Sequence, residues 1–170
     1  MVNIILIGFM GAGKTTVSGY LSKILGMERI EIDDLIAAKE GMCIANIFKK
    51  YGEEYFRNCE SNTLKELQKK NNLVVSCGGG IVLRDENIIN MKKLGSVVLL
   101  TATPETTYER VKDSSERPIL NNNMNIEFIS GLMEKRRERY LKAADIIIST
   151  DNKTIEQICE EIVKKLTAIE

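Results

Sequence analysis

Gly8-Phe9-Met10-Gly11-Ala12-Gly13-Lys14-Thr15-Thr16 lies between a continuous apolar run, Val2 to Ile7, and a stretch, Thr15 to Leu25, whose Val17, Leu21, Ile24 and Leu25 share one helical face. Strand, glycine-rich turn and helix in that order match G-x-x-x-x-G-K-[ST] in the setting the motif requires. Small residues let backbone N–H groups turn inward around phosphate oxygens, and the helix N-terminus favours negative charge there. Lys14 is placed to meet the β- and γ-phosphates and the Thr15 hydroxyl to ligate Mg²⁺. Gly11, Ala12, Gly13, Lys14, Thr15 and Thr16 are therefore the expected nucleotide cradle. A dinucleotide fingerprint fails, because Thr16 occupies the third glycine position. The loop alone leaves open whether the phosphoryl group goes to water or to a second substrate. No N-K-x-D is present and no D-x-x-G follows the second strand, which removes the signature of a GTPase.

Outward from the loop, short apolar runs alternate with amphipathic stretches. Further strands are expected over Arg29 to Asp33, Leu73 to Cys77, Ser96 to Thr101 and Asp145 to Ser149. Helices are expected over Tyr51 to Lys70, Pro104 to Lys112, Ile126 to Leu141 and Ile155 to Leu166, with Thr103 as a cap ahead of a first-turn proline. Short, nearly continuous apolar strands between helices imply an α/β fold, a parallel sheet covered by helices on both faces in three layers. Lys112 to Met124 (KDSSERPILNNNM) reads as a long polar loop, the kind that serves as a lid.

At 170 residues the chain has the size of one domain, 1–170. Lys+Arg and Asp+Glu are 24 each, so no basic excess exists to hold a nucleic-acid backbone. The apolar runs are far shorter than the roughly 20 residues of a membrane span, and no signal segment is visible. Four scattered cysteines, Cys43, Cys59, Cys77 and Cys159, form no C-x-x-C. They read as reduced thiols of a cytoplasmic protein, packed as small buried apolar side chains. Histidine is absent, which excludes imidazole acid–base schemes and leaves carboxylates, lysine, arginine, backbone amides and a metal.

Ligands of open parallel sheets sit beyond the carboxyl ends of the strands. The second strand ends in Glu31, Asp33 and Asp34, with Glu31 and Asp33 on one face if the strand runs through them. One carboxylate is suited to orienting an attacking hydroxyl and the other to holding a water on Mg²⁺; three solvated acids at a strand end is the plain alternative. After the third strand, Gly78-Gly79-Gly80 is entropically costly unless backbone must approach something closely. Arg57, three residues before Glu60, and Arg136 fit either a solvated helix face or a guanidinium pair gripping a carboxylate.

Taken together these residues resemble the shikimate kinases, a family within the nucleoside-monophosphate-kinase-like branch of phosphate-loop folds. The resemblance runs nearly end to end. It comprises the loop at Gly8 to Thr16, Glu31-x-Asp33 with Ile36 and Gly41, and Ile47-Phe48 ahead of Gly52-Glu53. It continues through Phe56-Arg57 with Glu60, Gly78 to Gly80, Arg117-Pro118-Ile119-Leu120, and Arg136 with Tyr140. It implies a five-stranded sheet of order 2-3-1-4-5, usually in a monomer, and transfer of the γ-phosphoryl of ATP to the 3-hydroxyl of shikimate. It also implies roles: Asp33, Arg57, Gly78, Gly79, Gly80 and Arg136 on shikimate, within a binding segment near 34–70. Arg117 falls to the ATP phosphates from a lid at 112–124, Arg110 to the adenine side, and Asp151 to Lys153 to closure over the adenine. The family usually has D-x-D where this chain has Glu31-Ile32-Asp33, and a glutamate where it has Ala37. A kinase of another polyol acid such as gluconate, and a silent ATP-binding protein, are the competing readings; the triple glycine with Arg57 and Arg136 opposes the first, and intact Lys14, Thr15, Asp33 and Arg117 the second.

Overall fold

In the computed structural model, which describes residues 2–113 and 125–169, five parallel strands form one sheet in the order β2-β3-β1-β4-β5. The strands are β1 (Asn3–Ile7), β2 (Glu28–Glu31), β3 (Leu73–Ser76), β4 (Gly95–Thr101) and β5 (Ile146–Ser149). The helices are α1 (Lys14–Leu25), α2 (Ile32–Glu40), α3 (Ile44–Tyr51), α4 (Glu53–Leu67), α5 (Asp85–Leu94), α6 (Pro104–Val111), α7 (Ile126–Ala143) and α8 (Ile155–Thr167), with a 3₁₀ turn at Ile81–Leu83. Sheet order and three-layer architecture are as expected. Alternation along the central strand explains the layers: Ile5 and Ile7 face an apolar layer shared with α2, α4, α5 and α7, whereas Ile4 and Leu6 face one shared with α1 and α8. The expected cap forms, with the Thr103 side chain accepting from the Thr106 N–H ahead of Pro104.

Three local expectations are corrected. The second strand stops at Glu31 rather than Asp33, because Ile32 and Ile36 are both buried at helical spacing and Asp33 and Asp34 fall in a first helical turn, where acids are favoured. The helix expected over Tyr51 to Lys70 runs from Glu53 to Leu67, because Gly52, whose φ of 85° a side chain would oppose, separates it from a preceding helix that ends at Tyr51. Among the thiols, Cys77 and Cys159 are buried as expected, but Cys59 is half-buried and Cys43 exposed.

The sheet borders differ in chemistry. Edge strand β2 reads Glu-Arg-Ile-Glu. On edge strand β5 the Ile147 side chain is exposed and the ammonium of Lys165, from α8, donates to the Ile147 carbonyl at 3.0 Å. No helix among the described residues is long and apolar enough to cross a membrane.

Candidate active site

The glycine loop between β1 and α1 has the conformation its composition demands. Gly11 and Gly13 have φ of 77° and 94°, and Gly13 caps α1 without a side chain. The Lys14 ammonium folds over the loop and donates to the carbonyls of Gly8 at 2.6 Å and Phe9 at 3.1 Å. In front of it lies a cavity of about 360 Å³, lined on one side by Gly11, Gly13, Lys14, Thr15 and Thr16 and on the other by Glu31, Asp33, Cys77, Gly78 and Gly79, with Arg110 also at its wall. The first helical turn of α2 therefore delivers Asp33 to the space that Glu31 reaches from the strand end, by a route that strand alternation does not describe.

Glu31 is firmly held. Its Oε1 accepts from Ser18 at 2.7 Å and from Nε and Nη2 of Arg29 at 3.0 and 2.8 Å, leaving Oε2 3.4 Å from the Thr15 hydroxyl. Arg29 and Glu31 lie two apart on an edge strand, hence on one face; that spacing was a readable signal, and the sequence reading passed over Arg29 and Ser18. A magnesium ion uses oxygen ligands and keeps several waters, with one or two protein donors. The Thr15 hydroxyl and Glu31 Oε2, side by side in the cavity, are a donor set of that kind.

Behind the cavity wall sits a cluster of buried charge. Arg57 and Arg136 are each 6% exposed and Glu60 is fully buried, so neither arginine belongs to a solvated face. Arg57 pairs with Glu60 at 2.9 Å and with Glu53 at 3.1 Å. Arg136 lies 5.9 Å from the Phe9 ring centroid. Gly78 to Gly80 run across this cluster, and none of the three has a left-handed φ; at Gly78 and Gly80 the reason for glycine is proximity. A Cβ at Gly78 would stand 3.1 Å from Asp33 Oδ1 and 3.2 Å from Glu60 Oε1, one at Gly79 would stand 3.6 Å from Arg136 Nη1, and one at Gly80 would collide with the Arg57 guanidinium. The loop is anchored from α7, where the Tyr140 hydroxyl donates to the Gly79 carbonyl and Arg139 Nε to the Val82 carbonyl at 2.9 Å.

Four polar atoms of this cluster, Asp33 Oδ1, Glu60 Oε1, Arg57 Nε and Arg136 Nη1, are buried without a hydrogen-bond partner. A buried orphan costs about 1–3 kcal/mol, so four around one glycine loop mark a place prepared for a polar ligand. Burial raises the Asp33 carboxyl above the ordinary aspartate value, against the pull of nearby Lys14. Burial likewise pushes Glu60 up to about 7, against the pull of Arg57.

On the nucleotide side, Arg110 donates to the Gly11 carbonyl at 3.0 Å and to Thr150 Oγ1 at 3.1 Å, joining α6, the glycine loop and the segment after β5. The Asp151 carboxylate accepts from the Thr103 N–H at 3.2 Å. Lys153 does not line the cavity and pairs with Glu161 at 2.6 Å. Arg117 and nearly all of the expected lid lie outside the described residues.

Gly80→Ala is expected to raise KM for the ligand of this loop at least about tenfold by displacing Arg57, with KM for nucleotide within twofold. Gly131→Ala on α7, where a Cβ meets nothing within 4 Å, is the neutral comparison; equal steady-state constants for the two variants would show that the Gly80 contact is inconsequential.

The chain matches the sequence profile of the family described as shikimate kinase over residues 10–167. It is 42% identical over 168 residues to a shikimate kinase of Dehalococcoides mccartyi, covering 99% of this chain and 95% of that one. Among solved structures it is similar to a shikimate kinase from Acinetobacter baumannii in complex with shikimate, at a TM-score of 0.95 and 32% identity, covering 100% and 95% of the two chains. The shikimate kinase of Aquifex aeolicus is similar at a TM-score of 0.85 and 40% identity, covering 98% and 96%.

Proposed function

The chain belongs to the shikimate kinase family, and we propose that it carries the γ-phosphoryl of ATP to the 3-hydroxyl of shikimate, releasing shikimate 3-phosphate and ADP on the way to chorismate. The observation that supports this most is the set of four orphaned polar atoms beside the phosphate loop. Two are guanidinium nitrogens suited to a carboxylate, and two are carboxylate oxygens suited to hydroxyl groups. Shikimate, a cyclic polyol bearing one carboxylate, offers both.

In this reading Arg57 and Arg136 take the shikimate carboxylate, Gly78, Gly79 and Gly80 let the ring lie against the backbone, and Asp33 receives the reacting hydroxyl. Asp33 orients that hydroxyl and accepts its proton late, because phosphoryl transfer passes through a loose transition state and depends mainly on positioning and charge. Lys14 neutralises charge on the moving phosphoryl group. The N–H groups of Gly11, Ala12, Gly13, Thr15 and Thr16 hold the β-phosphate side, and Arg110 and Lys153 flank the base. Arg117 joins the phosphate ligands, and 112–124 the lid, by their place in the sequence. Thr15 would hold Mg²⁺ directly and Glu31 through water. The ion supplies electrostatic stabilisation of the phosphate oxygens when bound. The same reading has the chain act as a monomer in the cytoplasm, with no nucleic-acid partner.

The deciding experiment is Mg-ATP turnover to ADP by the purified protein with shikimate, with gluconate and with no acceptor. Turnover dependent on shikimate is the expected result; turnover with gluconate alone would overturn the acceptor, and ATP binding without turnover would overturn the activity. Arg57→Ala is expected to weaken shikimate binding by about 2 kcal/mol or more, roughly thirtyfold in Kd by calorimetry. Unchanged affinity would return Arg57 to a purely structural ion pair of α4.

A further inference from the structure

Asn87, the third residue of α5, is fully buried, yet an amide is an unusual choice for the inside of a helix pair. Both of its ends are used. Its Nδ2 donates to the Ile81 carbonyl at 3.0 Å, at the residue that follows the triple glycine. Its Oδ1 accepts from the Ser61 hydroxyl at 2.7 Å, and the same Ser61 Oγ lies 3.1 Å from the Arg57 carbonyl on α4. A short polar chain therefore runs from the exit of the glycine loop, through Asn87 and Ser61, to the backbone of the residue whose guanidinium presses on Gly80. Arg84 adds a further contact to Ser61 Oγ at 3.3 Å.

An apolar side chain of the same volume would join α4 to α5 about as stably, since replacing both partners of a buried hydrogen bond by well-packed apolar groups is nearly neutral. What only the amide fixes is the separation of the loop from α4. That separation is tight: the Gly80 backbone has no room for a Cβ against Arg57. We propose that Asn87, acting through Ser61, is a positioning residue for the acceptor site, setting the distance between the glycine loop and the Arg57 guanidinium. The inference rests on the reading of this loop as the place where the shikimate carboxylate binds.

Asn90, one turn further along α5, provides the comparison. Its Oδ1 accepts from Gln68 at 3.0 Å, beyond the end of α4, and it reaches neither the loop nor Arg57. A purely structural role predicts the same consequences for the two asparagines: lower stability and no selective effect on a substrate. Positioning predicts a split. Asn87→Ala is expected to raise KM for shikimate about five- to twentyfold, with kcat and the ATP KM within about twofold. Ser61→Ala should shift the same constant in the same direction by a smaller factor, and Asn90→Ala should lower the melting temperature and leave the shikimate KM in place.

Steady-state kinetics in both substrates, with calorimetric shikimate binding in the absence of ATP, decides the matter. An unchanged shikimate KM in Asn87→Ala overturns the proposal, as do equal effects of Asn87→Ala and Asn90→Ala or a parallel rise in both substrate constants. If Asn87→Ala does not fold, Ser61→Ala decides alone, and an unchanged shikimate KM there overturns the proposal. Wild-type protein without shikimate-dependent turnover would overturn the functional reading beneath it, whereas normal wild-type turnover with unmoved variants would overturn this inference only.

Discussion

Lys14→Met lowers turnover by about 10²- to 10³-fold at saturating ATP and shikimate, the expected cost of removing a preorganised cation from the path of a transferring phosphoryl group. Methionine keeps an unbranched stem of similar reach and deletes the charge. The ammonium also ties the loop together through the Gly8 and Phe9 carbonyls, so a melting curve must accompany the rate. Loss of those two bonds should cost stability without unfolding the sheet, because β1 and α1 are anchored by the two apolar layers. A folded Lys14→Met protein turning over within tenfold of wild type would remove Lys14 from transition-state stabilisation and leave it a loop brace.

Asp33→Asn should lower kcat at least about tenfold to a hundredfold with ATP affinity largely kept. The amide preserves shape and burial but cannot accept the hydroxyl proton. Burial, opposed by Lys14, raises the Asp33 carboxyl above the ordinary aspartate range, and the ionised form is the one that accepts a proton. Turnover should therefore fall as pH drops, with its acidic limb displaced upward from where a solvated aspartate would place it. That limb should vanish in Asp33→Asn. A limb persisting in the variant would move the proton-handling role away from Asp33.

The phosphate loop was legible because its chemistry is local: glycines, a lysine and a hydroxyl within nine consecutive residues, Gly8 to Thr16, announce both conformation and ligand. Asp33 was legible through the rule that ligands gather at strand ends, although a first helical turn, not strand alternation, brings it there. Arg57 and Arg136 were ambiguous in the chain because a buried guanidinium and a solvated one occupy the same helical positions; only the fold shows both inside. The triple glycine pointed to close approach, but the groups that crowd Gly78 and Gly80, the Asp33 and Glu60 carboxylates and the Arg57 guanidinium, come from elsewhere in the chain and were not legible in it. Asn87 and Ser61 gave no signal, since single small polar residues on helices read as solvent-facing until another helix covers them. The helix start at Glu53 was set two residues early, at Tyr51, because the positive φ that ends the preceding helix at Gly52 leaves no mark in composition.

The borders of the sheet also bear on how the protein behaves in concentrated solution. An open edge strand offers unpaired N–H and carbonyl groups to any other strand, and edge-to-edge addition is the usual start of aggregation. Here β2 meets solvent with Glu28 and Arg29, charges that a docking strand would have to desolvate. On β5 the more hazardous border, with an exposed Ile147, has one carbonyl already engaged by the Lys165 ammonium from the neighbouring helix. The last helix thus guards colloidal stability as well as packing on α1, and a chain truncated before Lys165 would lose that guard along with part of the core beneath it.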